Sequence, residues 1–389
     1  AIWVKLGMQR LRLPAVVGYL FVGLGLRALD QRFQLLNVQS VATLDFLGQL
    51  GVASLLFHVG LSSNLTALLE VLPRAAWVWV SDVAVSSAVG FFAARALGFG
   101  LAPSLFVAVA LSATSVGISV SVWEDAGAMN SKVGRILLDV AELDDLSAVV
   151  LLLIALSVTP TLATGALGAG AVSAAGHAVG VLAIKLVLFA AGCWLFSAFL
   201  EKRLSEFFAR FRRAPDPLLV LVGAGFGIAA LAGWLGFSVA VGALFAGLMF
   251  SRDPEAVKLE AGFSTIYSLF MPFFFLNIGY GFDPKALGSA AGVGAALYVA
   301  AVLGKFVGAG FPLVFREGWK SATVLGISMA PRAEIALFTA QVGHRMGPEA
   351  ISDALYGGLV LACAAASMTS PFLLHGLIEK WPESIGERD

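Results

Sequence analysis

Asp144 and Asp145 stand side by side within the apolar run Ile136–Ile154. An acidic side chain at the centre of a membrane helix costs roughly 2.5–3.5 kcal/mol on insertion scales, so two in succession imply that water, a cation or a counter-charge meets them. Carboxylate oxygens at that depth suit two tasks, holding a proton and holding a hard cation. On a helix turning about 100° per residue, Arg135, Asp139, Glu142 and Asp145 form one stripe, and Asp144 lies about 100° around from Asp145. The stripe reads as the wall of a water-filled funnel in which Asp139 and Glu142 concentrate cations ahead of Asp145. Arg135 and Asp139, one turn apart, are equally placed for a structural ion pair.

Asp144 faces another way and needs another partner. Lys305 is the candidate, mid-span between Gly304 and Gly308, a small-xxx-small pair that lets a second helix approach closely. A cation reaching Asp145 would compete for the field that holds Asp144 to Lys305, which makes the pair an electrostatic switch. The bland alternative is a static bridge. Two carboxylates and an ammonium this close titrate as a set. Arg332 and Glu334 flank Pro331; they pair with each other or across to the cavity, and a structural, core-stabilising role is favoured because a broken crossing helix needs its freed backbone groups satisfied. Asp82, His58 and Lys185 are further polar residues within apolar segments, His58 reading as a satisfied histidine and Lys185 as one that reaches the headgroups.

The elements that position these residues are membrane helices. The chain is 59% hydrophobic and 13% charged, about half the charged fraction of a soluble domain. Its formal net charge of zero gives no reason to expect a nucleic-acid partner. Cys193 and Cys363 offer neither metal spacing nor a disulfide framework. The chain opens at Ala1 within a helical pattern, so further residues are expected before Ala1 or after Asp389, and the lack of a signal peptide carries no weight.

Apolar runs bounded by Pro, Gly and charge predict an all-α polytopic membrane protein of thirteen segments. They are a truncated one near 1–9, then 13–28, 42–61, 75–97, 103–123, 135–157, 174–200, 217–235, 237–250, 262–280, 289–314, 320–342 and 354–378. Basic residues concentrate on one side, among them Lys202, Arg203, Arg210, Arg212 and Arg213, and outnumber Arg27, Arg32, Arg95, Lys285 and Arg345 on the other, which predicts a cytoplasmic C-terminus. Glu201–Arg213 alternates basic and aromatic residues as an interfacial amphipathic helix does. It divides the chain into a first six-helix repeat (1–157), a linker region (158–216) and a second, inverted repeat (217–389). One span in each half is interrupted, at Ser112–Ser119 by small hydroxyl residues and Gly, and at Gly326–Glu334 by Pro331 and two charges. Unwound backbone at that depth requires a polar cavity.

These residues resemble the cation/proton antiporter superfamily, on its electrogenic branch of bacterial sodium/proton antiporters. The resemblance covers nearly the whole chain and is carried by Leu50–Leu61, Ala113–Ile118, Asp144-Asp145, Leu303-Gly-Lys305 and Met329-Ala-Pro-Arg-Ala-Glu334. It implies two crossed discontinuous helices in a mobile ion-carrying core domain (75–157 and 289–378) and a dimerisation domain (1–61 and 217–280) that forms a homodimer. It implies that Asp145 binds the ion or the proton, with Asp144 and Thr114 beside it as ion-site residues, that Lys305 pairs with Asp144, and that Arg332 and Glu334 stabilise the core. Asp139, Glu142, Asn277 and Ala333 depart from the family pattern.

The expectation is a secondary transporter in the lipid bilayer of the inner membrane that exchanges protons for Na⁺ or Li⁺. Asp145 and Asp144 would be its metal-binding side chains, with backbone carbonyls of the broken helices completing the shell, no cofactor beyond the transported ions, and a regulatory domain or subunit on the cytoplasmic side as a further expectation. A K⁺/H⁺ antiporter or gated K⁺ efflux protein is the alternative within transporters, and a non-transporting sensor on the same scaffold is a third. An intramembrane aspartyl protease is excluded, because adjacent aspartates diverge around the helix and cannot share one proton as such a dyad does.

Overall fold

The computed structural model describes residues 2–11, 13–63, 65–163, 169–195, 217–235, 238–251 and 260–385, and among them it contains helices and no strands. In chain order these are α1 (Ile2–Arg10), α2 (Ala15–Phe33), α3 (Val38–Ser62), α4 (Leu65–Ala96), α5 (Leu101–Ser112), α6 (Val116–Asp125), α7 (Lys132–Ala163), α8 (Ala169–Leu195), α9 (Pro217–Trp234), α10 (Val239–Phe250), α11 (Glu260–Gly281), α12 (Leu287–Gly308), α13 (Gly310–Ser328), α14 (Glu334–Arg345) and α15 (Asp353–Lys380). Seven segments among the described residues are long and apolar enough to cross a membrane. The expected amphipathic helix Glu201–Arg213 lies outside the described residues.

The chain divides into two compact units. The first comprises Ala1–Arg32, Val71–Val179 and Ile278–Asp389; the second comprises Phe33–Glu70 and Gly180–Asn277. Residues 1–32 fall with 71–179 and 278–389, not with 180–277. At the C-terminal end of α2 Tyr280 donates to Asp30 at 2.6 Å and Gln31 donates to Asp283 at 2.9 Å.

In the second unit α3 packs on α10, and α10 on α9. Phe57 meets Phe263 edge-on with centroids 4.8 Å apart, inside an apolar cluster with Leu61, Leu221 and Phe250. His58 stacks on Tyr267 at 4.9 Å. Asn277, unexpected in an apolar span, donates to Asp45 at 3.0 Å, so the two polar side chains satisfy one another.

In the first unit α5 packs against α7 and α14, α12 against α15 and α13, and α14 against α15. Two helical runs here are interrupted. Between α5 and α6 the residues Ala113, Thr114 and Ser115 leave the helical conformation. Between α13 and α14 the interruption covers Met329–Ala333, where Pro331 removes an N–H and biases Ala330 away from the helical region.

The predicted boundaries hold less well after residue 287. The expected span 289–314 ends at Gly308, while the expected span 320–342 is divided between α13 and α14 within the interruption expected for it. A further break falls between the expected spans 289–314 and 320–342. Gly318 takes φ 80°, ψ 169°, a conformation open to glycine alone, and divides α13 into two pieces. The break is held from both sides. Glu317 pairs with Lys132 at 2.5 Å, while Trp319 lies edge-on to Trp381 at 4.8 Å and Lys320 reaches Glu383 at 2.5 Å.

Candidate functional site

Every residue of the site belongs to the first compact unit, although four stretches of chain supply them: α4, the α5–α6 interruption, α7, and the α12–α14 region. The two interruptions meet. The Ser115 amide donates to Pro331 O at 3.0 Å, the Ser119 hydroxyl donates to Ser328 O at 2.6 Å, and the Trp123 indole donates to Ser328 Oγ at 2.9 Å. The C-terminal ends of α5 and α13 and the N-terminal ends of α6 and α14 therefore converge, two partial negative and two partial positive poles in one place.

Cations stand where carbonyls would otherwise be orphaned. Arg332 is buried and donates through Nη1 to Met329 O (2.8 Å) and Pro331 O (3.1 Å), and through Nη2 to Leu111 O (3.0 Å). One guanidinium thus caps the ends of both interrupted helices. The expectation that Arg332 and Glu334 pair with each other is corrected. Glu334 instead accepts a short hydrogen bond from Ser115 Oγ, at the first turn of α14, where its charge complements the helix end. The backbone-satisfying alternative is the one found for Arg332.

Lys305 is fully buried. Its Nζ donates to Asp144 Oδ2 at 2.5 Å and to Ser112 O at 2.7 Å, and Thr114 Oγ1 donates to the same Asp144 oxygen at 2.8 Å. The structure therefore brings together Asp144, Lys305 and Thr114. It also adds a residue that sequence reasoning left unplaced. Asp82 on α4 is fully buried with its Oδ2 at 2.5 Å from Lys305 Nζ. The signal that could have found it is Asp82 and Ser86 one turn apart, opposite the glycine face of α12. A Cβ at Gly308 would lie 2.9 Å from Asp82 Cα, and one at Gly304 3.2 Å from Ser86 Cα.

Asp145 is different from its neighbour. It is half-buried, where Asp144 is fully buried. Its carboxylate makes no hydrogen bond or ion pair with the described residues, while Glu334, Asp144, Lys305 and Glu142 form its charged surroundings. Asp139 is half-buried and Glu142 exposed; Glu142 has Asp139 as its charged neighbour. Among the described residues no group of three or more His, Cys, Asp or Glu is placed to hold a metal ion. A cation at Asp145 would need backbone carbonyls or water for the rest of its shell. A cavity of about 750 Å³ lies beside α6, lined by Gly117, Ser121, Asp125, Pro371 and His375 among others, and reaches within one turn of the first interruption.

A partly buried carboxylate beside buried fixed charges, at the meeting of interrupted membrane helices, is an arrangement suited to small ions. A profile of the transmembrane sodium/hydrogen exchanger family matches residues 1–379, and the chain belongs to that family of cation/proton antiporters, secondary transporters and not enzymes. It is 28% identical over 349 residues to the high-affinity Na⁺/H⁺ antiporter NhaS3 of Synechocystis sp., covering 86% of this chain and 72% of that protein. It is 26% identical over 368 residues to the Na⁺/H⁺-K⁺ antiporter GerN of Bacillus cereus, covering 94% and 90%. The solved structure of the sodium/proton antiporter MjNhaP1 of Methanocaldococcus jannaschii superposes with a TM-score of 0.65 at 16% identity, over 99% of this chain and 96% of that one, which is a likeness of fold.

Proposed function

We propose that this integral membrane protein exchanges protons for a monovalent cation, Na⁺ or Li⁺ before K⁺, by competition at Asp145. The observation that carries the reading is the contrast within the aspartate pair: Asp144 is saturated by Lys305 and Thr114, whereas Asp145 is half-buried and takes no partner from the described residues. A carboxylate in that position holds a proton or a cation, never both, which couples the two fluxes. Asp139 and Glu142 lead cations towards it, Arg332 and Glu334 fix the interrupted helices, and Lys305 responds to the charge at Asp145 through Asp144. Alternating access follows from movement of the charged unit against a scaffold, in a thirteen-segment fold of two inverted repeats that assembles as a homodimer in the inner membrane with its C-terminus in the cytoplasm.

Asp145→Asn should abolish exchange. The measurement is proton movement in proteoliposomes after a sodium jump; proton flux in that variant comparable to the parent's would sink the reading. A second reading, K⁺/H⁺ exchange or gated K⁺ efflux, draws support from the name of GerN, which includes K⁺. Dose–response curves for Na⁺, Li⁺ and K⁺ in the same vesicles separate the two, and Lys305 makes sensitivity to an imposed potential the test of electrogenic exchange.

A further inference from the structure

Lys305 has two carboxylates, and they are not equivalent. The ammonium spends its three donors on Asp82 Oδ2 (2.5 Å), Asp144 Oδ2 (2.5 Å) and Ser112 O (2.7 Å), so it is saturated. Asp82 is engaged at both oxygens, since Ser86 Oγ donates to its Oδ1 at 3.1 Å. It sits within the α4–α12 contact that Gly304 and Gly308 bring to backbone distance. Asp144 is engaged at one oxygen alone. Oδ2 receives both Lys305 and Thr114, and Oδ1, though buried, has no hydrogen-bond partner among the described residues. A buried carboxylate oxygen left open next to Asp145 is costly unless something comes to meet it.

We propose that Asp82 is the standing counter-ion of Lys305, a positioning residue that holds the ammonium charged and in place while Asp144 is drawn towards a cation at Asp145. The proposal rests on the reading above that a cation binds there. Its logic is one of charge. Asp82, Lys305 and Asp144 together carry one negative charge in excess when all are ionised, and that surplus is what the cluster lends to the cation site. With Asp82 neutral, Lys305 claims Asp144 fully, the cluster is balanced, and the attraction for a cation falls. Asp82 acts through Lys305 and touches no transported ion.

Two measurements on the full chain test this. In proteoliposomes, Asp82→Asn should raise the apparent KM for Na⁺ at least about fivefold while the maximal rate stays within about threefold, since a lost ground-state attraction acts on binding. In detergent, thermal unfolding of the parent, Asp82→Asn, Lys305→Gln and the double variant should show Lys305→Gln as the least stable, because it strands two buried carboxylates. Adding Asp82→Asn to it should raise the midpoint again. An unchanged KM with a fallen rate would overturn the proposal, and so would a double variant no more stable than Lys305→Gln alone. If the parent moves none of Na⁺, Li⁺ or K⁺, the transport reading fails, and the unfolding cycle still decides whether Asp82 is the partner of Lys305.

Discussion

Glu334 shows what a single residue does here beyond stabilising its surroundings. It accepts from Ser115 and is also among the charged groups around Asp145. The two roles can be separated. Glu334→Gln keeps an acceptor for Ser115 and removes the charge, so it should weaken Na⁺ affinity several-fold with unfolding unchanged; Glu334→Ala removes both and should lower the unfolding midpoint as well. Radiotracer Na⁺ uptake and a melting curve on the same preparations give the two readouts, and equal effects of both variants on affinity and melting would contradict the separation. The Asp144–Lys305 pair is legible in the sequence because each residue is expensive in an apolar run and each needs the other. Asp82 is equally expensive, but a lone aspartate in a span does not name its partner. That information lies in the crossing of α4 over the glycine face of α12, which is tertiary.

At the scale of elements, that crossing is where the cluster is most easily disturbed. A methyl group on Gly308 would come within 2.9 Å of Asp82 Cα and 3.1 Å of its carbonyl oxygen, both backbone atoms, and the helices must part to admit it. Gly308→Ala should therefore cost about 1–3 kcal/mol and slow exchange through displaced Lys305. Gly292 on the same helix has nothing within 4 Å, so Gly292→Ala should be neutral or stabilising by up to about 1 kcal/mol through helix propensity. Denaturant or thermal unfolding of the pair in detergent checks the contrast. The two interruptions are legible from Thr114, Ser115 and Pro331 because such residues break helices for local reasons. The break at Gly318 falls in the gap left between the expected spans 289–314 and 320–342, but which residue breaks is not legible, since one glycine among many in a membrane chain reads like any other and only its φ of 80° distinguishes it. The same ambiguity explains the misplaced boundary near 308, where Gly308-Ala309-Gly310 permits a continuous apolar helix as readily as an end.

For the whole molecule, all the charges of the proposed ion site fall in one compact unit, assembled from 71–179 and 278–389. That unit is fastened at its periphery by Lys320 with Glu383 and Trp319 with Trp381. The hydrogen bond from Lys320 holds the Glu383 carboxyl below its ordinary value of 4.5. A folded-state value below the unfolded one means that the contact contributes fully above about 4.5 and is lost as pH falls through the lower folded value. The fastening should thus be constant between pH 5 and 8, on the order of ordinary working conditions, and release in stronger acid. The difference in tryptophan fluorescence between the parent and Trp381→Phe, followed down the pH scale, reports it; a change centred near neutrality would contradict the assignment.

The bond from the Ser115 amide to Pro331 O has a consequence in isotopic terms. Ser115 lies outside any helix, yet its proton should exchange with deuterium as slowly as those of α5. If the charged unit travels as one body during transport, that slowness survives turnover with saturating Na⁺. If instead the two interruptions separate to pass the ion, Ser115 becomes the first slow amide in the unit to take up label, and its uptake counts transport cycles.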